Sequence, residues 1–186
     1  PTGIEHGTVT LVVDGQPFEV TTLREDTETY GRKAKVAFGR DWVRDAERRD
    51  FTMNGLSVDA SGVVHDHVGG IADARARRVR FIGAPDQRIA EDYLRILRFF
   101  RFLARFGDVA DPAGLEACTA RSRDLMALSR ERIRDELLKL LVARDAVRVV
   151  ELMIAHGIFA PVLPEIGPDG TERLARLAGA EAASEL

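Results

Sequence analysis

The chain has 186 residues, 45% of them hydrophobic and 31% charged, which excludes a disordered or fibrous protein and leaves room for one sizeable domain or two small ones. No apolar run reaches the roughly 18 residues a membrane helix needs, and no signal-peptide pattern opens the chain, so no membrane partner is expected. The single cysteine, Cys118, excludes an internal disulfide and a thiolate zinc site and suits a reducing cytoplasm.

The net charge of −3 conceals a local excess. Between Ile71 and Gly107 nine arginines stand against four acids, so the rest of the chain is acidic. A basic region in an acidic protein points to a bound polyanion rather than a generally adhesive surface.

In chain order, the sequence enters a strand pattern soon after Pro1, as expected of a piece of a longer protein. Thr8 to Val13 and Phe18 to Leu23 alternate as strands around Asp14-Gly15-Gln16-Pro17, a hairpin pattern. Glu25 to Lys35 is polar and reads as a loop, and Asp41 to Arg49 reads as a short polar helix. Gly55 to Val58 starts another element, and Val63 to Asp66 is a short strand entering the Gly69-Gly70 turn. Ile89 to Phe106 contains no Gly or Pro and reads as one helix closed by Gly107. Helices are predicted over Leu115 to Met126, Arg130 to Val142 and Ala146 to Ala155, with an Ala-rich helical tail from Thr171. Strands first and helices later is the α+β pattern, with a boundary expected near Gly69 that separates residues 1–68 from 69–186.

Three segments carry candidate chemistry. Arg48-Arg49-Asp50-Phe51-Thr52-Met53-Asn54 packs two guanidiniums, a carboxylate and an amide into seven residues. Guanidinium forks suit phosphate, and Asp50 and Asn54 can hold them or accept from a sugar hydroxyl; on spacing alone a solvated helix end with ion pairs is the plainer reading. On one continuous helix, Arg88, Arg95, Arg98, Arg101 and Arg105 would occupy an arc from about 180° to 320° from Asp92. An acid and an arginine one turn apart, Asp92 and Arg95, can offer acceptor and donor together to a base edge. An ordinary amphipathic helix with an Arg-rich face is the alternative. Ser129 is a good N-cap for the helix that follows, so Ser129, Glu131 and Arg132 read as structural support. Glu19 in its strand could ligate a metal but is more simply a solvent-facing residue, and His65 and His67 lack a third ligand.

These segments, in this order, resemble the CCA-adding enzyme and poly(A) polymerase family of bacterial type. The blocks are PTGIEHGT (1–8), FEVTTLR (18–24), RRDFTMN (48–54), GGIAD (69–73), EDYLRILRFFRF (91–102) and LSRERIRDELLKLL (128–141), and the likeness runs to about Leu163. The resemblance implies the later part of a nucleotidyltransferase head sheet over residues 1–68, followed by an all-α neck and the start of a body over 69–186. It implies addition of CCA, or part of it, to the 3′ end of tRNA from CTP and ATP, with pyrophosphate released. By the same resemblance Arg49, Asp92, Arg95, Arg98 and Arg101 bind nucleotide. Mg²⁺ would be held by an upstream aspartate pair that is not in this sequence, so no metal ligand is expected here, Glu19 being at most an additional carboxylate. Gly55 and Tyr93 replace the Ala and Pro more usual in the family. The fragment by itself is expected to be inactive. A poly(A) polymerase, or a non-catalytic RNA- or nucleotide-binding module, remains the alternative.

Overall fold

The computed structural model describes residues 7–30 and 33–184; most of the first resemblance block, residues 1–6, and Gly31 and Arg32 lie outside them. Strands β1 (Thr8–Val13) and β2 (Gln16–Thr21) form the expected antiparallel hairpin, with Asp14 and Gly15 at positive φ in the turn. The register pairs Leu11 with Phe18 and Thr10 with Glu19, which gives the hairpin an apolar and a polar face.

The stretch read as a polar loop is a second hairpin, β3 (Arg24–Tyr30) paired with β4 (Lys33–Phe38) through a bulge between Asp26 and Glu28. Polarity misleads here because Thr27, Thr29 and Tyr30 favour extended backbone whatever their charged neighbours do. Next come α1 (Trp42–Glu47), capped by Asp41, and a 3-10 turn over Thr52–Gly55. A minimal hairpin of β5 (Ser57–Val58) and β6 (Val64–His65) follows.

The Gly69-Gly70 turn opens α2 (Gly70–Arg75). Gly69 has φ +81°, and a Cβ on Gly70 would lie 2.3 Å from the Thr52 carbonyl oxygen, so both positions require glycine. Asp66 fixes this turn: its carboxylate accepts from the backbone N–H groups of Val68, Gly69, Gly70 and Ile71. Desolvation pushes its pKa up, but the four donors outweigh it and hold the group below the ordinary carboxylate value.

The predicted helix from Ile89 to Phe106 is two helices, α3 (Pro85–Glu91) and α4 (Leu94–Phe106), interrupted at Asp92, which has extended backbone. The Asp92 carboxylate accepts from the Leu94 N–H at 3.1 Å, the local bond by which Asp diverts a chain from helix. A single wheel through Asp92 and the arginines therefore does not describe this segment. The next prediction also divides, into α5 (Pro112–Ala120) and a 3-10 turn over Ser122–Ala127; Pro112 sets the start and Asp111 caps it. Helices α6 (Arg130–Leu141), α7 (Ala146–Ala155) and α8 (Pro168–Ser184) agree with the pattern. Two residues of the helical part, β7 (Arg78–Val79), pair in parallel with β8 (Val109–Ala110).

The core joins the two kinds of structure. Phe51 is fully buried, 4.9 Å from Phe81 and 5.0 Å from Phe102 between ring centroids, and Phe81 stacks on Phe99 at 5.5 Å. Each such pair adds about 0.5–1.5 kcal/mol beyond area burial. Ile96, Leu97, Phe100 and Leu103 of α4, Leu140 of α6 and Val149 and Met153 of α7 continue this core. Cys118 lies inside it, and burial pushes its thiol up, away from the reactive thiolate. Among the described residues no helix is long and apolar enough to cross a membrane.

Candidate functional site

The segment 49–54 is positioned from beneath. Thr52 N–H donates to the Arg80 carbonyl and Ile82 N–H to the Asp50 carbonyl, each at 3.0 Å, on either side of the Phe51–Phe81 bridge. Buried Asp73 of the GGIAD block accepts from the Thr52 hydroxyl at 2.7 Å and from Arg80 Nε at 2.8 Å. The backbone of the polar cluster is thus clamped, and its side chains project from a fixed base.

Above it lies a cavity of about 410 Å³ lined by Arg48, Arg49, Asp50, Asn54, Asp92, Leu94, Arg95, Arg98 and Arg132. Five arginines meet two carboxylates in that lining, so the walls favour an anionic ligand. Asp50 Oδ1 accepts from Asn54 Nδ2 at 2.7 Å and from its neighbouring Phe51 N–H at 2.9 Å, while Oδ2 receives Arg98 Nε at 2.6 Å. Arg49 donates to buried Asp45 and, through Nη1, to the Asn54 carbonyl at 3.1 Å. Arg95 pairs with Glu91 and also donates to the Arg88 carbonyl at 2.9 Å. Asp92 faces Arg132, whose Nη2 lies 2.8 Å from Oδ2.

The structure therefore brings together Arg49, Asp50, Asn54, Asp92, Arg95 and Arg98 from two segments far apart in the sequence. It leaves out Arg101, expected with them, and Glu19, the candidate additional carboxylate. Arg101 points to α6, where it pairs with the buried Glu136 and lies 4.7 Å from the Phe102 ring centroid. Its place one turn beyond Arg98 turns it from the cavity wall into the α4–α6 contact. Glu19 is exposed on β2 opposite Thr10 and is not part of the cavity. Among the described residues no group of three or more His, Cys, Asp or Glu could hold a metal, so the Mg²⁺ implied by the resemblance does not fit this chain's described side chains. His65 pairs with Asp59 at 2.9 Å, outside the cavity.

At the start of α6, Ser129 Oγ accepts from the Arg132 N–H at 3.4 Å, and exposed Glu131 forms part of the first turn. The Arg132 side chain goes further and enters the cavity wall. Reading the sequence by capping pattern misses this, since a cap says where a backbone turns and nothing of where a long side chain reaches. It also misses Asp45, whose one available sign was its position four residues before Arg49.

Comparison with known proteins agrees with these blocks. The Poly A polymerase head domain family matches residues 1–80, and the family described as "Probable RNA and SrmB- binding site of polymerase A" matches residues 111–169. The chain is 45% identical over 159 residues to the mitochondrial CCA tRNA nucleotidyltransferase 1 of Danio rerio, covering 84% of this chain and 37% of that protein. It is 33% identical over 159 residues to the CCA-adding enzyme of Lactobacillus johnsonii, covering 84% of this chain and 40% of that one. It superposes on the crystal structure of the Bacillus stearothermophilus CCA-adding enzyme in complex with CTP with a TM-score of 0.77 at 35% identity, over 84% of this chain and 38% of the other. The chain thus spans about two fifths of the length of these relatives. With two family domains in order and relatives at 33% and 45% identity over 84% of its length, the chain belongs to the CCA-adding enzyme and poly(A) polymerase family of nucleotidyltransferases.

Proposed function

We propose that this chain supplies the nucleotide-selecting part of an RNA nucleotidyltransferase that adds CCA, or part of it, to the 3′ end of tRNA from CTP and ATP. The observation that carries the reading is the convergence of Arg49, Asp92, Arg95 and Arg98 on one cavity with an excess of guanidinium. Arg49 and Arg98 would hold phosphate oxygens, since a guanidinium fork fixes direction as well as charge. Asp92 and Arg95 would meet the base edge as acceptor and donor, so that the protein selects the nucleotide in place of a template. Asp50 and Asn54 would keep Arg98 and the 49–54 backbone in register. Arg101, through Glu136, would support α4 from behind.

Such a reaction uses a divalent metal to activate the RNA hydroxyl and to steady the leaving pyrophosphate. Mg²⁺ would be held by carboxylates outside the described residues. A reducing compartment such as the cytoplasm suits the lone, buried thiol. The relatives named for CCA addition favour that reaction over polyadenylation, although both matching family domains carry polymerase names.

The test uses the full-length protein, a tRNA lacking its end, Mg²⁺ and each labelled nucleotide separately and in pairs. The reading expects label from CTP first and from ATP only after CTP has been added. Runs of label from ATP alone would assign a poly(A) polymerase. Binding of nucleotide or RNA with no incorporation would leave a binding module.

A further inference from the structure

We propose that Asp45 is the positioning residue of the nucleotide cavity, dividing Arg48 from Arg49 and aiming the Arg49 guanidinium at the ligand's phosphate oxygens. The inference rests on the proposed nucleotide-binding role of Arg49.

Asp45 is 3% exposed, in the first turn of α1. One carboxylate oxygen serves each arginine. Oδ1 accepts from Arg48 Nε at 2.9 Å and Nη2 at 2.6 Å, while Oδ2 accepts from Arg49 Nη2 at 2.9 Å and, more distantly, from Nε at 3.3 Å. Two adjacent guanidiniums would otherwise repel one another. Held on separate oxygens of one anion, they keep a net positive charge at the cavity wall while each has a fixed direction.

Arg49 gains a second fixed point from another element, because Nη1 donates to the Asn54 carbonyl at 3.1 Å. Its bonds among the described residues use Nε–H, one Nη1 hydrogen and one Nη2 hydrogen. One N–H on each terminal nitrogen remains, and such a pair can meet two oxygens of a phosphate. The Arg49 side chain is 42% exposed and lines the cavity, so a ligand can reach it. A carboxylate buried this deeply is stable only as part of such a network, and removing its charge leaves the arginines without their common partner.

The experiment is a double-mutant cycle in the full-length enzyme with Asp45→Asn, Arg49→Ala and the pair, read as KM and kcat for CTP and ATP. Asn keeps the size and one oxygen, and thermal unfolding of each variant monitors the fold. Asp45→Asn is expected to raise KM for both nucleotides alike by about tenfold with kcat within about twofold, the pattern of lost ground-state binding. In the Arg49→Ala background the same change should add no more than about twofold, because contacting residues are coupled. Asp45→Glu should recover part of the loss. Full multiplication of the two effects, or a lowered melting temperature with KM unchanged, would reduce Asp45 to a packing residue. Should Arg49→Ala itself leave KM unchanged, the role of Arg49 fails first, and Asp45 has nothing to position.

Discussion

Both carboxylate oxygens of Asp92, at the break between α3 and α4, lie within hydrogen-bond distance of Arg132 Nη2 on α6, at 3.1 and 2.8 Å. Forty residues separate the partners, and the pair joins the start of the arginine-bearing helix to the helix behind it. A carboxylate has lone pairs enough to keep Arg132 and still accept from a base amino group. Asp92→Ala in the full-length enzyme is therefore expected to blur selection of CTP and ATP against UTP and GTP. The loss should be about 1–3 kcal/mol of discrimination, measured by competitive incorporation. Activity that falls with selection intact would return Asp92 to packing.

Arg132 and its neighbour Ser129 should separate experimentally. Ser129→Ala removes only a cap and should cost about 0.5–2 kcal/mol of stability with turnover per folded molecule unchanged. Arg132→Ala removes the partner of Asp92 and should weaken base selection in the same direction as Asp92→Ala. Arg132→Lys should recover part of it, because a single nitrogen, Nη2, makes both contacts to Asp92. Base selection unchanged in Arg132→Ala would confine this residue to the helix start.

Arg49→Lys keeps the charge but loses the fork. Steady-state kinetics should show catalysis weakened for CTP and ATP alike, since phosphate contacts carry no base information. Impairment with one nucleotide alone would remove Arg49 from the phosphates.

Phe51→Ala should cost about 3–5 kcal/mol, because the ring is wholly enclosed by Phe81, Phe99 and Phe102. Urea unfolding measures this directly. Phe51→Leu keeps more of the volume and should cost markedly less.

Asp66 predicts a pH dependence of known sign. Its pKa lies lower in the folded chain than its ordinary value, so its contribution is complete above the carboxylate range and fades as pH falls through the folded value. The urea midpoint of the wild type should exceed that of Asp66→Asn at pH 7, and the gap should narrow below about pH 4. A gap that stayed constant through this range would deny the carboxylate charge any part in the turn.

Much of this was legible in the sequence wherever one local rule dominates. The β1–β2 turn is written in Asp14-Gly15, the Ser129 cap in a serine placed before an unbroken helical run, and helices α6 and α7 in the pattern of their residues. What escaped was decided by bonds between side chain and backbone, or between distant segments. Asp92 breaks a helix that lacks Gly and Pro because its own carboxylate captures the Leu94 N–H. Arg98 and Arg101 look alike on a wheel, yet one meets Asp50 and the other Glu136, and only the packing of α4 against α6 separates them. The convergence on one cavity of RRDFTMN and the α4 arginines came from family likeness rather than from periodicity.

The Phe51 clamp also bears on the order in which the chain opens. The Thr52 and Ile82 amides are bonded across a bridge whose central ring is fully buried. Their hydrogen exchange should follow global unfolding, whereas amides of the β1–β2 hairpin, with Val12, Val13 and Phe18 exposed, should exchange through local openings. Arg49, proposed above to meet phosphate, would then be attached to some of the last backbone to come apart. A nucleotide held there would find its binding groups already ordered, and little of the binding energy would be spent on arranging them.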